Sequence, residues 1–246
     1  MAVTFDAAIR VRVPAERVFY LSMTLLLAFT VLVGFARSFF LRPLFPGWPS
    51  PSEPLLYVHG TVFAAWFALL VVQASLVTSG RIELHRKLGV FGACLVVAMV
   101  VLGTLGALVA AHRHSGFVNV PIPALMFLAV PLTDMLILPA LVALAIVKRR
   151  EPQSHKRLML IASISLTAAA FARWPVLRNL GPLAFFGATD VMLVPLLAWD
   201  LKSRGRLHPV TLWAGAAVVL SQPLRLALAG TPQWLSFATW AVGLID

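Results

Sequence analysis

Residues 55–79 read LLYVHGTVFAAWFALLVVQASLVTS, twenty-five positions without one Asp, Glu, Lys or Arg. At ~1.5 Å of rise per residue, a helix of that length reaches ~37 Å, enough to cross a hydrocarbon layer ~30 Å thick. A barrel strand would alternate polar and apolar residues, whereas here the apolar residues run on. A segment in lipid must also satisfy its own backbone hydrogen bonds. The stretch is therefore read as a transmembrane helix.

Six further runs of the same kind lie at about 19–38, 88–111, 122–147, 157–173, 182–201 and 209–229. The whole chain is 60% hydrophobic and only 12% charged, and its mean hydropathy is +0.91. These values exclude most soluble folds of this length. The fold class is all-α: one integral membrane domain, a polytopic bundle of about seven spans. Residues 1–18 form an inner N-terminal segment, and 230–246, with Trp234 and Trp240, form an interfacial tail. The first run is too long for a signal peptide and lacks a small-residue cleavage site, so it is expected to be a retained anchor.

The net charge of +11 does not point to nucleic acid, because the basic residues sort by membrane side. One side holds Arg10, Arg12, Arg17, Arg81, Arg86, Lys87, Lys148, Arg149, Arg150, Lys156, Arg157, Lys202, Arg204 and Arg206. The other holds Arg37, Arg42, Arg113, Arg173, Arg178 and Arg225, so the division is 14 against 6. By the positive-inside rule the N-terminus is cytoplasmic and the C-terminus outside. The lipid bilayer, with anionic headgroups on the cytoplasmic side, is the expected partner of the inner charges, and no nucleic-acid motif is present. Cys94 is the only cysteine, so neither an internal disulfide nor a Cys-based zinc site can form.

The second half carries a repeat. Thr133-Asp134 is followed by Pro139, and Thr189-Asp190 by Pro195, at an offset of 56 residues that also relates Lys148 to Arg204 and Arg150 to Arg206. Each hairpin re-enters after a histidine, His155 or His208, and its returning helix ends near an arginine, Arg173 or Arg225. Duplicated helical hairpins are the simplest reading. The segment around Gly80-Arg81 and His85 extends the pattern to a more diverged third copy.

Carboxylates within a span are disfavoured by ~2.5–3.5 kcal/mol even on the most lenient insertion scale, so Asp134 and Asp190 need partners. Similar heights above the connecting loops predict Asp134–Arg173 and Asp190–Arg225 pairs. These either staple the hairpins or line a polar pocket. Pro131, Pro139 and Pro195 should kink these helices or free carbonyls beside the acids. On the second span His59, Trp66 and Gln73 recur every seven residues, a stripe that faces protein.

The histidines suggest a cofactor. His59, His112 and His114 lie towards the outer side, and His85 and His155 open helices on the inner side. Two outer and two inner histidines over successive helices is the arrangement of a bis-histidine two-haem bundle. A histidine at a helix start also commonly caps backbone amides or meets headgroups, and that reading is preferred for His208. No HExxH helix, di-iron carboxylate pattern, Ser/His/Asp spacing or phosphate loop appears, so no metal beyond haem iron is expected. The seventh span has no lysine for a retinal Schiff base.

His59-Gly60, Trp66, Gln73, Gly80-Arg81, Leu84-His85-Arg86-Lys87-Leu88-Gly89 and His155-Lys156-Arg157-Leu158-Met159 resemble an uncharacterised family of bacterial multi-spanning proteins, a domain of unknown function. The resemblance covers roughly residues 55–175 and implies the bacterial inner membrane but no activity. A looser resemblance, through His59, His85, His112 and His155, is to four-helix di-haem b-type cytochromes. It implies haem b and electron transfer, although here the first inner and outer histidines share one hairpin. The leading expectation is a haem-b electron-transfer protein or redox subunit. The alternatives are a transporter or receptor-like protein with an Asp/Arg-lined pocket, and an accessory subunit of a larger membrane complex.

Overall fold

The computed structural model describes residues 14–48, 53–117, 120 and 122–245; Arg10 and Arg12, counted on the inner side, lie outside the described residues. The helices are α1 (Ala15–Phe35), α2 (Pro54–Thr78), α3 (Ile82–His112), α4 (Ala124–Phe127), α5 (Ala129–Val147), α6 (Pro152–Ser165), α7 (Ala168–Phe171), α8 (Pro175–Asn179), α9 (Pro182–Val191), α10 (Val194–Arg204), α11 (Pro209–Ala229) and α12 (Pro232–Val242). No strand occurs among the described residues. The fold is an all-α bundle of membrane-spanning helices.

The start points follow from the sequence. α2, α6, α8, α9, α11 and α12 each begin at a proline, whose fixed φ suits the first turn and whose missing N–H has no partner to lose there. α10 stops at Gly205, whose φ of 68° closes the helix in a left-handed turn open to glycine. Among the described residues six segments are long and apolar enough to span a membrane, including Ala124–Arg150 and Pro182–Arg204. Their outward faces carry exposed apolar side chains such as Val90, Leu136, Leu183 and Leu224, as expected where lipid replaces water.

The run expected at 157–173 lies in two pieces, α6 and α7. Thr167 breaks it: its amide and its hydroxyl both donate to the Ile164 carbonyl, at 2.9 and 2.7 Å, tightening the chain into a single 3₁₀-type turn. α9 and α10 break similarly, with the Met192 and Leu193 amides turning back to Thr189 and Asp190 at 3.1 and 2.9 Å. Pro195 follows two residues later and cannot donate to Val191. α5, by contrast, runs unbroken through Pro139. The two hairpins of the repeat are therefore interrupted in different arms, the returning one in the first and the outgoing one in the second.

α2 packs between α1 and α3, α5 lies against α3, α6 and α11, and α7 touches α1 and α9. The core they enclose centres on Leu27, Trp66, Met99, Leu138, Ile161, Leu196 and Val218. Trp66, the middle residue of the α2 stripe, donates its indole N–H to the Ser163 hydroxyl at 3.2 Å. α1 can reach α7 because Gly34 has no side chain: a Cβ there would lie 2.6 Å from the Ala170 carbonyl oxygen. At eleven residues, α12 is too short to span. It packs beside α3 and α4, with the Trp234 indole donating to the Leu125 carbonyl at 2.8 Å.

Candidate functional site

α11 carries the polar centre of the bundle. Arg225 is buried and donates from Nη1 to Asp134 Oδ1 on α5 at 2.6 Å. Its Nη2 donates to the Ser221 hydroxyl at 2.8 Å, and its guanidinium lies 5.3 Å from the centre of the Phe186 ring. One turn away, Gln222 donates to Asp190 Oδ1 on α9 at 2.7 Å. Residues 222 and 225 are three apart on a helix, so both carboxylates attach to one face of α11.

The expected pairs do not form. Arg225 takes Asp134 rather than Asp190, and Arg173 stands over the Phe35 ring at 4.0 Å, with Nη1 donating to the Ala169 carbonyl at 2.5 Å. The cause is lateral. α11 packs on α5, whereas the break after α6 sends α7 towards α1 and carries Arg173 away from Asp134. Rise along the axis gives a residue's height and not its direction.

A second buried network was not read from the sequence. Arg157 and Asp200 are fully buried, and Arg157 donates to Asp200 Oδ1 from Nε at 3.0 Å and also from Nη2. Asp200 Oδ2 accepts the His208 amide at 3.0 Å and the Thr211 hydroxyl at 2.6 Å. Arg157 Nη1 donates to the Gln153 carbonyl and side-chain oxygens, at 2.8 and 2.6 Å. Gln153 and Lys156 in turn reach Glu16, at 3.2 and 2.5 Å. This ties the start of α1 to α6, α10 and α11. His208 caps α11, its Nδ1 accepting the Val210 amide at 3.1 Å. Burial, helped by Arg157 and Arg204, pushes its imidazole below the usual histidine range and favours the neutral form the cap needs. His208 is thus the capping residue the sequence suggested.

The two networks differ in completeness. Both oxygens of Asp200 are occupied, by four donors in all. Asp134 and Asp190 each engage Oδ1 alone, and no donor among the described residues reaches either Oδ2. Asp200 is a closed clamp, whereas the Asp134–Arg225–Gln222–Asp190 cluster has acceptor capacity left over.

The histidines separate into two groups. His59 Nδ1 lies 3.2 Å from the Leu102 carbonyl, and its ring stacks on Phe63 at 4.3 Å. A Cβ on Gly106 would come within 3.3 Å of that ring, so α2 and α3 leave no gap for a macrocycle there. His112 ends the same helix ten residues beyond Leu102, ~15 Å further along the axis. His112 and His114 are exposed. The outer set does not converge on one point. The inner set does: the His85 and His155 rings are 6.4 Å apart and perpendicular. His155 Nδ1 donates to the Ala145 carbonyl at 2.8 Å, leaving Nε2 with its lone pair. Beside them His85 Nδ1 and Gln73 Oε1 are buried without a hydrogen bond. No group of three or more His, Cys, Asp or Glu that could hold a metal ion occurs among the described residues.

Compared with protein-family models, with curated proteins and with solved structures, the chain matches none.

Proposed function

We propose that this chain is an inner-membrane carrier, its basic end cytoplasmic, in which Asp134 and Asp190 bind a proton, a sodium ion or a potassium ion. The observation that carries this reading is the open coordination of two carboxylates on one face of α11, Asp134 held by Arg225 and Asp190 by Gln222, inside an apolar bundle. An intramembrane acid with a free oxygen is costly unless it is used. Arg225 acts as the resident counter-charge: an arriving cation takes over Asp134, and the guanidinium falls back on Ser221 and the Phe186 face. The helix breaks after α6 and α9 put irregular backbone at membrane depth, a feature tolerated where it is buried in protein or lines a cavity.

Reconstitution into vesicles with an entrapped pH dye, or with sodium or potassium gradients, tests it. The protein should speed collapse of at least one gradient, and Asp134→Asn should return the rate to that of protein-free vesicles. Protein with no effect on any of the three gradients, or an Asp134→Asn variant as fast as the parent, overturns the reading.

A second reading has its own observation, the His85–His155 pair. Two imidazoles 6.4 Å apart, one anchored through Nδ1, suit the axial positions of one haem b, which would make the chain a redox protein of the membrane. A second haem on His59 and His112 or His114 does not fit the packing of α2 on α3. Purified with ample haem, the protein should then show the sharp reduced bands of a six-coordinate haem, lost in His155→Ala. A colourless protein rules this reading out.

A further inference from the structure

At the basic end, the turn from α5 to α6 and the turn from α10 to α11 enclose a cleft of about 530 Å³, within the usual range for ligand sites. Its polar wall consists of Lys148, Arg204, Arg206, Ser154 and His208, and its apolar wall includes Leu144, Leu158 and Trp213. We infer that this cleft binds the headgroup of an anionic phospholipid, with the acyl chains lying along α5 and α11.

The charge balance supports an anion. Glu151 neutralises Lys148 at 2.8 Å and accepts the Ser154 hydroxyl at 3.1 Å. No carboxylate among the described residues lies within ion-pair distance of Arg204 or Arg206. Asp200, the acid nearest them in sequence, is already saturated by Arg157, His208 and Thr211. Two unneutralised guanidiniums flank the Gly205 turn, and guanidinium geometry matches phosphate oxygens in pairs. The Arg157–Asp200 clamp and the His208 cap hold the α10–α11 turn in place behind them, so little ordering is needed on binding.

The apolar side selects a lipid over a soluble phosphate. Trp213 and Leu212 on α11 and Ile146 and Val147 on α5 are exposed next to the cleft, extending its floor onto the lipid-facing surface. A tryptophan at this level is a headgroup-depth anchor. A free phosphate would meet the cations and leave that surface unused, whereas a phosphodiester carrying two chains uses both.

Native mass spectrometry in mild detergent, titrating phosphatidylglycerol against phosphatidylcholine, tests the inference. The parent should retain phosphatidylglycerol in preference. Arg204→Gln/Arg206→Gln should bind it roughly 30-fold more weakly, from about one factor of five per basic residue near a membrane surface. Arg86→Gln/Lys87→Gln, which removes the same charge from another turn at that end, should bind as the parent does. If the first double variant does not fold, Arg206→Gln alone should lose about fivefold. Equal loss in the Arg86/Lys87 control, equal retention of the two lipids, or displacement of phosphatidylglycerol by equimolar glycerol phosphate overturns the assignment. The first two outcomes would mean diffuse surface charge, and the third a soluble anion.

Discussion

Arg157→Met lowers the stability of the bundle by about 3–5 kcal/mol, the usual cost of leaving a buried charge without its partner. Asp200 is fully buried, and the substitution takes both donors from Oδ1 while Oδ2 keeps the His208 amide and the Thr211 hydroxyl. Gln153 also loses its ligand, and with it the strap from α6 to Glu16 on α1 loosens. Arg157→Met/Asp200→Leu should recover most of the loss, because apolar groups of similar volume replace a buried pair at little net cost. Unfolding by added SDS in mixed micelles, followed by circular dichroism, measures both. A mild Arg157→Met, or a double variant no better than the single, would show that the clamp does not hold α6 to α10 and α11.

Spans could be read because lipid imposes a length and a composition. The broken segment α6–α7 was read as one span, since Thr167 looks like any small polar residue until its hydroxyl turns back on Ile164. Partner choice could not be read: Asp134 and Arg173 share a height, but α11 and not α7 lies beside α5. Asp200 was within reach, because the cost argument applied to Asp134 holds equally for an acid inside the run 182–201. Arg157 was counted among the surface cations because it sits at a polar flank, yet α1, α10 and α11 close over it. The repeat preserves residue types without preserving roles. His155 Nδ1 donates to a carbonyl, whereas His208 Nδ1 accepts from an amide.

Asp134 and Arg225 should prove unequal. Without Arg225, Asp134 has no donor among the described residues, so Arg225→Met should cost about 3–5 kcal/mol or force the carboxyl to take up a proton. Asp134→Asn keeps an acceptor oxygen in place, and Arg225 retains the Ser221 carbonyl and hydroxyl and the Phe186 face. Its cost should be smaller, about 1–3 kcal/mol, because the guanidinium keeps these acceptors although its charge is no longer matched. Adding Asp134→Asn to Arg225→Met should restore stability, because the stranded charge is gone. The same SDS titrations on the two single variants and the double read all three values. The asymmetry is what lets stability and transport be told apart: if Asp134→Asn stays folded yet stops flux, the carboxylate is used, whereas equal damage from either single change would make the pair a staple between α5 and α11.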